Sequence, residues 1–383
     1  MPVSDRKFRV FVPSASELLN DSGRYGEGVI ALNLLSELAH RGHELVVCAR
    51  EVELSRDPPF ELVVVGYASR FESVEPLTYM RRVQRICRQL GRSRPFDVAH
   101  WIYPDTPGEM LFSPPDGLPL VIGPKGAPWP AGVRNRPFRA GDAVRSVLRP
   151  VFAHARARTL DSARVVMGST PAAVAGFPAE RFRVVPLGID LERFAPSSLP
   201  DEPRILFAGR VDAEKGVPEL LEAFVHVRAR IPDAQLDVAG SGTLLEWSKQ
   251  RVAALGVGDA VTFHGLVAQA QMPDLLRRAS LLCLPTHADA FGMIVVEAMA
   301  AGRAVVASDV NGPRFVLGDE QGGRLVPPRN AVALADALAT LLADREELAR
   351  MGAHNRRRVE ERFSLALSAD AVEEAYADAL EAR

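Results

Sequence analysis

Two cations follow a strand-like segment at a spacing that suits an anion. The segment RILFAGR (204–210) ends at Arg210, and Lys215 comes five residues later, just before a helical pattern. Arginine binds phosphate oxygens through a planar fork of N–H groups, whereas lysine acts as a point charge. A single arginine at a strand end is often structural. The chain contains only four lysines, namely Lys7, Lys125, Lys215 and Lys249, so chance alone would seldom place a lysine five residues after a strand-end arginine. The pair therefore predicts an anion site.

A second group of candidate residues lies in the segment THADAFGMIVVEAMAAGRAVVAS (286–308). Asp289 precedes a Phe291-Gly292 turn that opens a helical pattern, and the first N–H groups of a helix lack intrahelical partners and attract anions. Glu297 lies inside that pattern among apolar residues, where a carboxylate is costly unless it is paired or bound to hydroxyl groups. The pattern indicates a ligand site. The alternative is a Glu297 that bonds a neighbouring backbone or basic group.

The third candidate is the glycine-rich turn NDSGRYGEG (20–28), which precedes a helical pattern. Glycine allows the backbone to approach a ligand closely, and a helix N-terminus suits an anion. The spacing is not G-x-G-x-x-G, and Arg50 stands near the place where a dinucleotide-binding sequence carries an acid. The sequence therefore gives little support to a dinucleotide site, and a plain flexible turn is the alternative.

Strands alternate with helical patterns along the chain, and the pattern restarts near residue 204. Such βαβ units predict an α/β protein of parallel sheets with helices on both faces, and two runs predict two Rossmann-like, doubly wound domains facing a central cleft. We place the first domain at 1–188 and the second at 189–365. We expect a last helix over 366–383 to pack back on the first domain.

The composition is typical of a globular protein and does not indicate a strongly charged partner such as nucleic acid. Of 383 residues, 47% are hydrophobic and 25% are charged, and a net charge of −2 does not call for nucleic acid.

Cys48, Cys87 and Cys283 are far apart and lack metal-ligand spacing, which argues against a disulfide framework or a zinc site and fits a reducing cytosol. No window reaches 18 continuous apolar residues, so we expect no transmembrane helix. We expect a cytoplasmic protein that at most lies against the inner face of a membrane.

Arginines concentrate in two parts of the first half. One cluster contains Arg81, Arg82, Arg85, Arg88, Arg92 and Arg94, and a second lies within 134–164. A basic amphipathic helix can bind anionic lipid. The alternatives are an anionic soluble acceptor and a surface that is simply solvated.

Together these segments resemble the retaining glycosyltransferases of the GT-B fold, specifically glycosyltransferase family 4. The resemblance covers nearly the whole chain. Its motifs occur in the family's order: RGHEL (41–45), FDVAH (96–100), PLGIDLERFAP (186–196), GRVDAEKG (209–216), FGMIVVEAMAAGRAVVAS (291–308) and GGRLVPP (322–328). The family's signature of two acidic residues separated by seven is Asp289 and Glu297 here.

The resemblance implies transfer of a sugar, most simply from a UDP-sugar, to a hydroxyl of a saccharide, lipid-linked or natural-product acceptor. It implies retention by front-face attack and no metal or other cofactor. Arg210 and Lys215 match the pair that holds the donor diphosphate, Glu297 the residue that binds the ribose, and Asp289 the residue that binds sugar hydroxyls. The other donor-side matches are Gly26, Gly209, Gly265, Leu266, Phe291, Gly292 and Met293. The candidates for catalysis are His100, Arg210, Lys215 and Asp289, and those for the acceptor side are Tyr25, His100 and Lys125.

The chain departs from the family pattern at three places. Asp289 stands where the family usually has Glu, Gly123-Pro124-Lys125-Gly126 stands where a histidine is common, and Phe315 replaces a common Glu. These changes bear on the sugar and the acceptor more than on the reaction class. Two alternatives remain: a sugar-nucleotide epimerase on the same fold, and a nucleotide-sugar binding protein without activity.

Overall fold

Parallel strands form two large sheets, and each sheet lies in its own unit of the chain. The computed structural model describes residues 6–23, 26–66, 75–102, 112–115, 117–126, 154, 157–175, 179–319 and 321–381. The described residues up to Gly188, together with Leu365–Glu381, form the first unit, and Ile189–Ser364 form the second. Tyr25 and most of the arginine cluster within 134–164 lie outside the described residues.

The first unit contains a seven-stranded parallel sheet in the order β5-β3-β1-β6-β7-β8-β9. Its strands are β1 (Arg9–Val12), β3 (Glu44–Ala49), β5 (Glu61–Val64), β6 (Val98–Trp101), β7 (Leu120–Lys125), β8 (Val165–Gly168) and β9 (Phe182–Val184). Two further short strands, β2 (Leu18–Asn20) and β4 (Glu51–Glu53), pair separately. The described helices are α1 (Gly26–His40), α2 (Glu75–Ser93), α3 (Pro171–Val174) and, at the end of the chain, α11 (Leu365–Glu381).

Helices cover both faces of this sheet, which explains the nearly continuous apolar strands. Val10 packs in a core with residues of α1 and α11, whereas its neighbour Phe11 packs in a second core with Val83 of α2. Successive strand residues point to opposite faces, so each strand supplies both cores. Helix α11 thereby belongs to the first unit although it follows the whole of the second.

The second unit contains a six-stranded parallel sheet in the order β12-β11-β10-β13-β14-β15. Its strands are β10 (Arg204–Ala208), β11 (Gln235–Ala239), β12 (Val261–Gly265), β13 (Leu281–Leu284), β14 (Ala304–Ser308) and β15 (Gly323–Val326). Its helices are α4 (Val217–Arg230), α5 (Leu245–Ala254), α6 (Met272–Arg278), α7 (Met293–Ala300), α8 (Asn311–Leu317), α9 (Ala331–Leu342) and α10 (Arg345–Arg362). The predicted α/β class with two Rossmann-like parallel-sheet domains is confirmed.

Three details differ from the sequence prediction. The segment 20–28, predicted to be a turn before a helix, begins at the end of the short strand β2, and α1 already begins at Gly26. Gly28 lies inside α1, where a Cβ atom would stand 2.0 Å from the carbonyl oxygen of Leu18, so this glycine allows the helix to pack on β2. Helices α8 and α10 were not predicted. Helix α10 is mostly charged and buries only a narrow stripe of residues, which makes its periodicity hard to recognise.

Candidate active site

The candidate donor residues lie where the strand order of the second unit reverses. Strand β10 is flanked by β11 on one side and by β13 on the other. The strands that follow it are therefore added first on one side, as β11 and β12, and then on the other, as β13, β14 and β15. Open α/β sheets bind ligands at the carboxyl ends of their strands at such a switch point. Arg210 follows the end of β10 and Asp289 follows the end of β13. The fold therefore brings together two motifs that are 79 positions apart in the sequence.

A tight turn carries the two cations. Gly209 and Arg210 follow β10, and Lys215 ends a short 3-10 turn, Ala213–Lys215. Gly216 comes next with φ +71°, and a Cβ atom there would lie 1.9 Å from the carbonyl oxygen of Pro285. The absence of a side chain at Gly216 thus allows the turn after β10 to pack against the segment after β13.

Lys215 and Asp289 form a salt bridge, with Nζ 2.7 Å from Oδ2. The other carboxylate oxygen of Asp289 accepts a hydrogen bond from the N–H of Phe291 at 3.1 Å. Burial alone raises the pKa of Asp289, but the charge and hydrogen bond of Lys215 and the N–H groups of Phe291 and Gly292 outweigh it and lower the pKa below its usual range. Asp289 is therefore ionised at neutral pH.

The turn after Asp289 begins helix α7. Gly292 is the residue before the helix and has φ +87°, in the left-handed region that favours glycine. Met293 is the first helical residue, and the N–H groups of a first helical turn have no partner inside the helix. This arrangement places N–H donors and the positive end of a helix beside Asp289, which suits a phosphate.

Phe291 is held in place by two other rings. Its centroid lies 6.1 Å from that of Phe315 and 6.0 Å from that of Phe363, and the last two are 6.3 Å apart. Phe315 occupies a position where the family pattern commonly has Glu. Its ring packs against the turn that carries Gly292, so the departure has a packing role.

Glu297 is buried in α7, with 8% of its surface exposed. It accepts a hydrogen bond from Gln269 Nε2 at 2.9 Å. Burial raises the pKa of Glu297 to about 7, against the smaller lowering effects of Gln269 and of the charge on Arg193. Gln269 was not among the predicted residues, because nothing in its sequence neighbourhood marks it.

The segment that contains Gln269 follows strand β12, which ends at Gly265. Gly265 has φ +65°, and its carbonyl oxygen accepts a hydrogen bond from the N–H of Gly240 at 2.7 Å. Leu266 follows and exposes 60% of its surface.

His100, predicted as a candidate for catalysis and for the acceptor side, is buried inside the first unit. It lies in β6 with no exposed surface, with Nε2 2.6 Å from the carbonyl oxygen of Gly123 and Nδ1 2.6 Å from the hydroxyl of Tyr376 in α11. Since a carbonyl only accepts, Nε2–H is the donor and Nδ1 accepts from Tyr376. Burial lowers the pKa of His100 to about 4. Both ring nitrogens are engaged inside the first unit, and the arrangement supports a structural role for this histidine.

The other candidates of the first unit lie at strand or helix ends. Gly26 is the exposed first residue of α1, and Lys125 ends β7 with 7% of its surface exposed. The peptide bond between Gly123 and Pro124 is cis. Among the residues that the structure describes, no group of three or more His, Cys, Asp or Glu side chains could hold a metal ion.

Two family models match the chain in tandem. Residues 26–193 match the model described as Glycosyltransferase Family 4, and residues 189–358 match the model described as Glycosyl transferases group 1. The chain is 30% identical over 414 aligned positions to the D-inositol 3-phosphate glycosyltransferase of Nocardia farcinica, covering 96% of this chain and 87% of the relative.

Solved structures share the fold at lower identity. Sucrose-phosphate synthase from Thermosynechococcus elongatus superposes with a TM-score of 0.73 over 99% of this chain and 100% of that one, at 23% identity. The Anabaena protein HepE, in complex with UDP and glucose, superposes with a TM-score of 0.69 over 96% of this chain and 98% of that one, at 17% identity. With the two family models and the relative matched almost end to end, these findings show that the chain belongs to the glycosyltransferases of the group 1 and family 4 type.

Proposed function

We propose that this glycosyltransferase moves a sugar from a nucleotide-sugar donor, a UDP-sugar in the first place, to a hydroxyl of its acceptor with retention of configuration. The observation that carries the proposal is the salt bridge between Lys215 and Asp289 at the switch point of the second sheet, with Arg210 on the same turn. It joins a phosphate-binding cation to a carboxylate that can bind sugar hydroxyls. The UDP and glucose bound by HepE, a protein of the same fold, support this choice of donor.

The chemistry follows from where negative charge develops. When the anomeric bond breaks, the nucleoside diphosphate leaving group gains charge, and fixed donors near it stabilise the transition state. Arg210, Lys215 and the N-terminus of α7 are such donors. Because they supply the neutralising charge, we propose that the reaction needs no metal ion.

We propose a hydroxylated acceptor of the saccharide, lipid-linked or inositol class. The support is the name of the relative from Nocardia farcinica, which gives D-inositol 3-phosphate as the molecule that it glycosylates. Lys125 ends β7 at the carboxyl side of the first sheet and is the described residue that we assign to that acceptor.

The test is a thermal-shift screen of the protein against UDP-, GDP-, dTDP- and ADP-sugars, followed by transfer assays with the selected donor. A ligand at about 100 times its Kd stabilises the folded state by roughly 2.7 kcal/mol. We expect a UDP-sugar to raise the Tm most, and the Arg210→Ala variant to lose that shift. Selective stabilisation by a donor with another base would contradict the UDP assignment. Turnover of the donor alone into an isomer would contradict the transferase proposal.

We also propose that helix α2 contacts an anionic membrane surface. Its apolar face packs in the core of the first unit, whereas Arg81, Arg85, Arg88 and Arg92 are exposed and recur at helical spacing along one face. Each such charge contributes about 1 kcal/mol near an anionic surface. Among the described residues, every helix is too short or too polar to span a bilayer.

Co-sedimentation with vesicles tests this contact. We expect binding to phosphatidylglycerol vesicles at low salt, little binding to phosphatidylcholine vesicles, and release at high salt. Replacing the four arginines by glutamine should reduce binding more than tenfold, whereas a control with Arg230→Gln and Arg277→Gln, two exposed arginines of the second unit, should bind like wild type. Absence of binding at low salt would contradict the proposal and favour a soluble acceptor.

A further inference from the structure

The guanidinium of Arg210 has a partner that the sequence analysis did not identify. Its Nη1 donates a hydrogen bond to Oδ2 of Asp212 at 2.8 Å. The Arg210 side chain is 42% exposed, whereas that of Asp212 is only 9% exposed. An exposed arginine samples many rotamers, so a buried carboxylate beside it restricts where the guanidinium can point.

The other oxygen of Asp212 is anchored independently. Oδ1 accepts hydrogen bonds from both the N–H and the hydroxyl of Thr243, each at 2.8 Å. A Cβ atom at Gly242 would lie 2.7 Å from this oxygen, so the loop after β11 approaches Asp212 as closely as a glycine allows. Three hydrogen bonds from two directions thus fix the carboxylate.

Backbone hydrogen bonds hold the same two loops together. The N–H of Val211 donates to the carbonyl of Ser241 at 3.0 Å, and the N–H of Leu244 donates to the carbonyl of Val211 at 2.9 Å. The turn after β10 and the loop after β11 therefore form one rigid platform. Asp212 is the side chain by which this platform contacts Arg210.

We propose that Asp212 is a positioning residue that orients Arg210 toward the diphosphate of the donor; this inference rests on the function proposed above. A guanidinium has five N–H groups in a fixed plane, and the bond to Asp212 uses one of them. This bond restricts the directions in which the other N–H groups can point before the donor arrives. A donor group held in place costs no reorganisation when the leaving group becomes charged, which is where such positioning increases the rate.

The test is a double-mutant cycle with Asp212→Asn and Arg210→Ala, measured as kcat/KM with the selected donor. Asparagine keeps an oxygen that can accept from Thr243 but presents no charge to Arg210. We expect Asp212→Asn to lower kcat/KM about tenfold when Arg210 is present, and less than twofold when Arg210 is already alanine. An equal loss in both backgrounds would show that Asp212 acts through the fold alone and would overturn the inference.

Two further variants keep the test decisive. Thr243→Val removes one hydrogen bond to Asp212 but leaves the contact with Arg210, so we expect a lower Tm with kcat/KM within about twofold of wild type. If Asp212→Asn does not fold, Asp212→Glu replaces it in the cycle, because it retains the charge while moving it by one methylene, and the same dependence on Arg210 is expected.

The outcomes separate this inference from the function on which it rests. Absence of transfer by the wild-type protein with every nucleotide-sugar would overturn the proposed function, whereas near-wild-type turnover of Arg210→Ala would remove Arg210, and with it Asp212, from the mechanism. A strong loss in Arg210→Ala with no loss in Asp212→Asn would leave the function intact and overturn only the role of Asp212.

Discussion

Nζ of Lys215 lies 2.7 Å from Oδ2 of Asp289, so a residue assigned to the donor diphosphate and a residue assigned to the donor sugar are in direct contact. The contact keeps Asp289 ionised despite its burial and fixes the distance between the two parts of the site. It also means that a substitution at either residue changes the environment of the other.

Arg210→Ala and Lys215→Ala should each reduce transfer strongly while the protein stays folded. A charge-assisted hydrogen bond is worth about 1.5–3 kcal/mol, which corresponds to roughly 10–150-fold in kcat/KM. Lys215→Ala should also lower the Tm, because it leaves Asp289 as a buried carboxylate without its ammonium partner. Steady-state kinetics and calorimetry measure both effects. Turnover close to wild type in either variant would remove that cation from the mechanism.

Asp289→Glu should lower kcat/KM with the enzyme's own donor. The longer side chain moves the carboxylate by roughly 1.5 Å, more than a hydrogen bond tolerates, and disturbs the contacts with Lys215 and the Phe291 N–H. Affinity for the bare nucleoside diphosphate should fall much less than kcat/KM, because its proposed contacts Arg210, Lys215 and Glu297 all remain. Isothermal titration with the diphosphate and assays with several donor sugars separate the two. An unchanged rate on every donor would show that Asp289 carries no donor preference.

Glu297→Gln should remove a pH dependence of stability. The pKa of Glu297 is about 7 in the folded protein, against the ordinary glutamate value of 4.5 that applies to the unfolded chain. Between these values the folded state retains a proton that the unfolded chain has lost, so stability falls as pH rises through this window. Glutamine has no such proton, and we expect the variant to gain about 2 kcal/mol relative to wild type between pH 5 and pH 8. Urea denaturation at several pH values measures this gain, and parallel curves for the two proteins would contradict it.

Chelation should leave the reaction rate nearly unchanged. In the proposed mechanism Arg210, Lys215 and the N-terminus of α7 neutralise the charge on the leaving group, so EDTA is expected to alter the rate by less than about twofold. The control is a transferase of known metal dependence in the same assay. A rate that collapses with EDTA and returns with Mg²⁺ or Mn²⁺ would show that the protein's own cations are insufficient.

Tyr376→Phe should destabilise the first unit without affecting chemistry directly. It leaves the buried Nδ1 of His100 without its hydrogen-bond donor, at a cost of about 1–3 kcal/mol. We expect a lower Tm and a kcat within about twofold of wild type at a temperature where the variant is folded. Loss of activity with unchanged stability would instead favour the catalytic role that the sequence predicted for His100.

Much of the fold was predictable from the sequence because its signals are local. Buried strands of a parallel sheet appear as short apolar runs, and the helices between them show their own periodicity, so the alternation around Val10 or Leu206 indicates an α/β protein. Arg210, Lys215 and Asp289 were identified as candidates because they lie close after strand ends within motifs, and Glu297 because it is a carboxylate in an apolar helical pattern. The short strands β2 and β4 have three residues each and are too brief to show a period.

What the tertiary structure decided is which side chains meet. Nothing in the sequence pairs Asp212 with Thr243: the pairing of β11 with β10 brings Thr243 to one oxygen of Asp212 while Arg210 bonds the other. Nothing in the sequence pairs His100 with Tyr376 of α11 either, since the two residues are 276 positions apart. Such contacts depend on the neighbour order of strands and on long-range packing. Residue types and spacing along the chain indicate what chemistry is available, but burial and the partner of each polar atom are properties of the assembled fold.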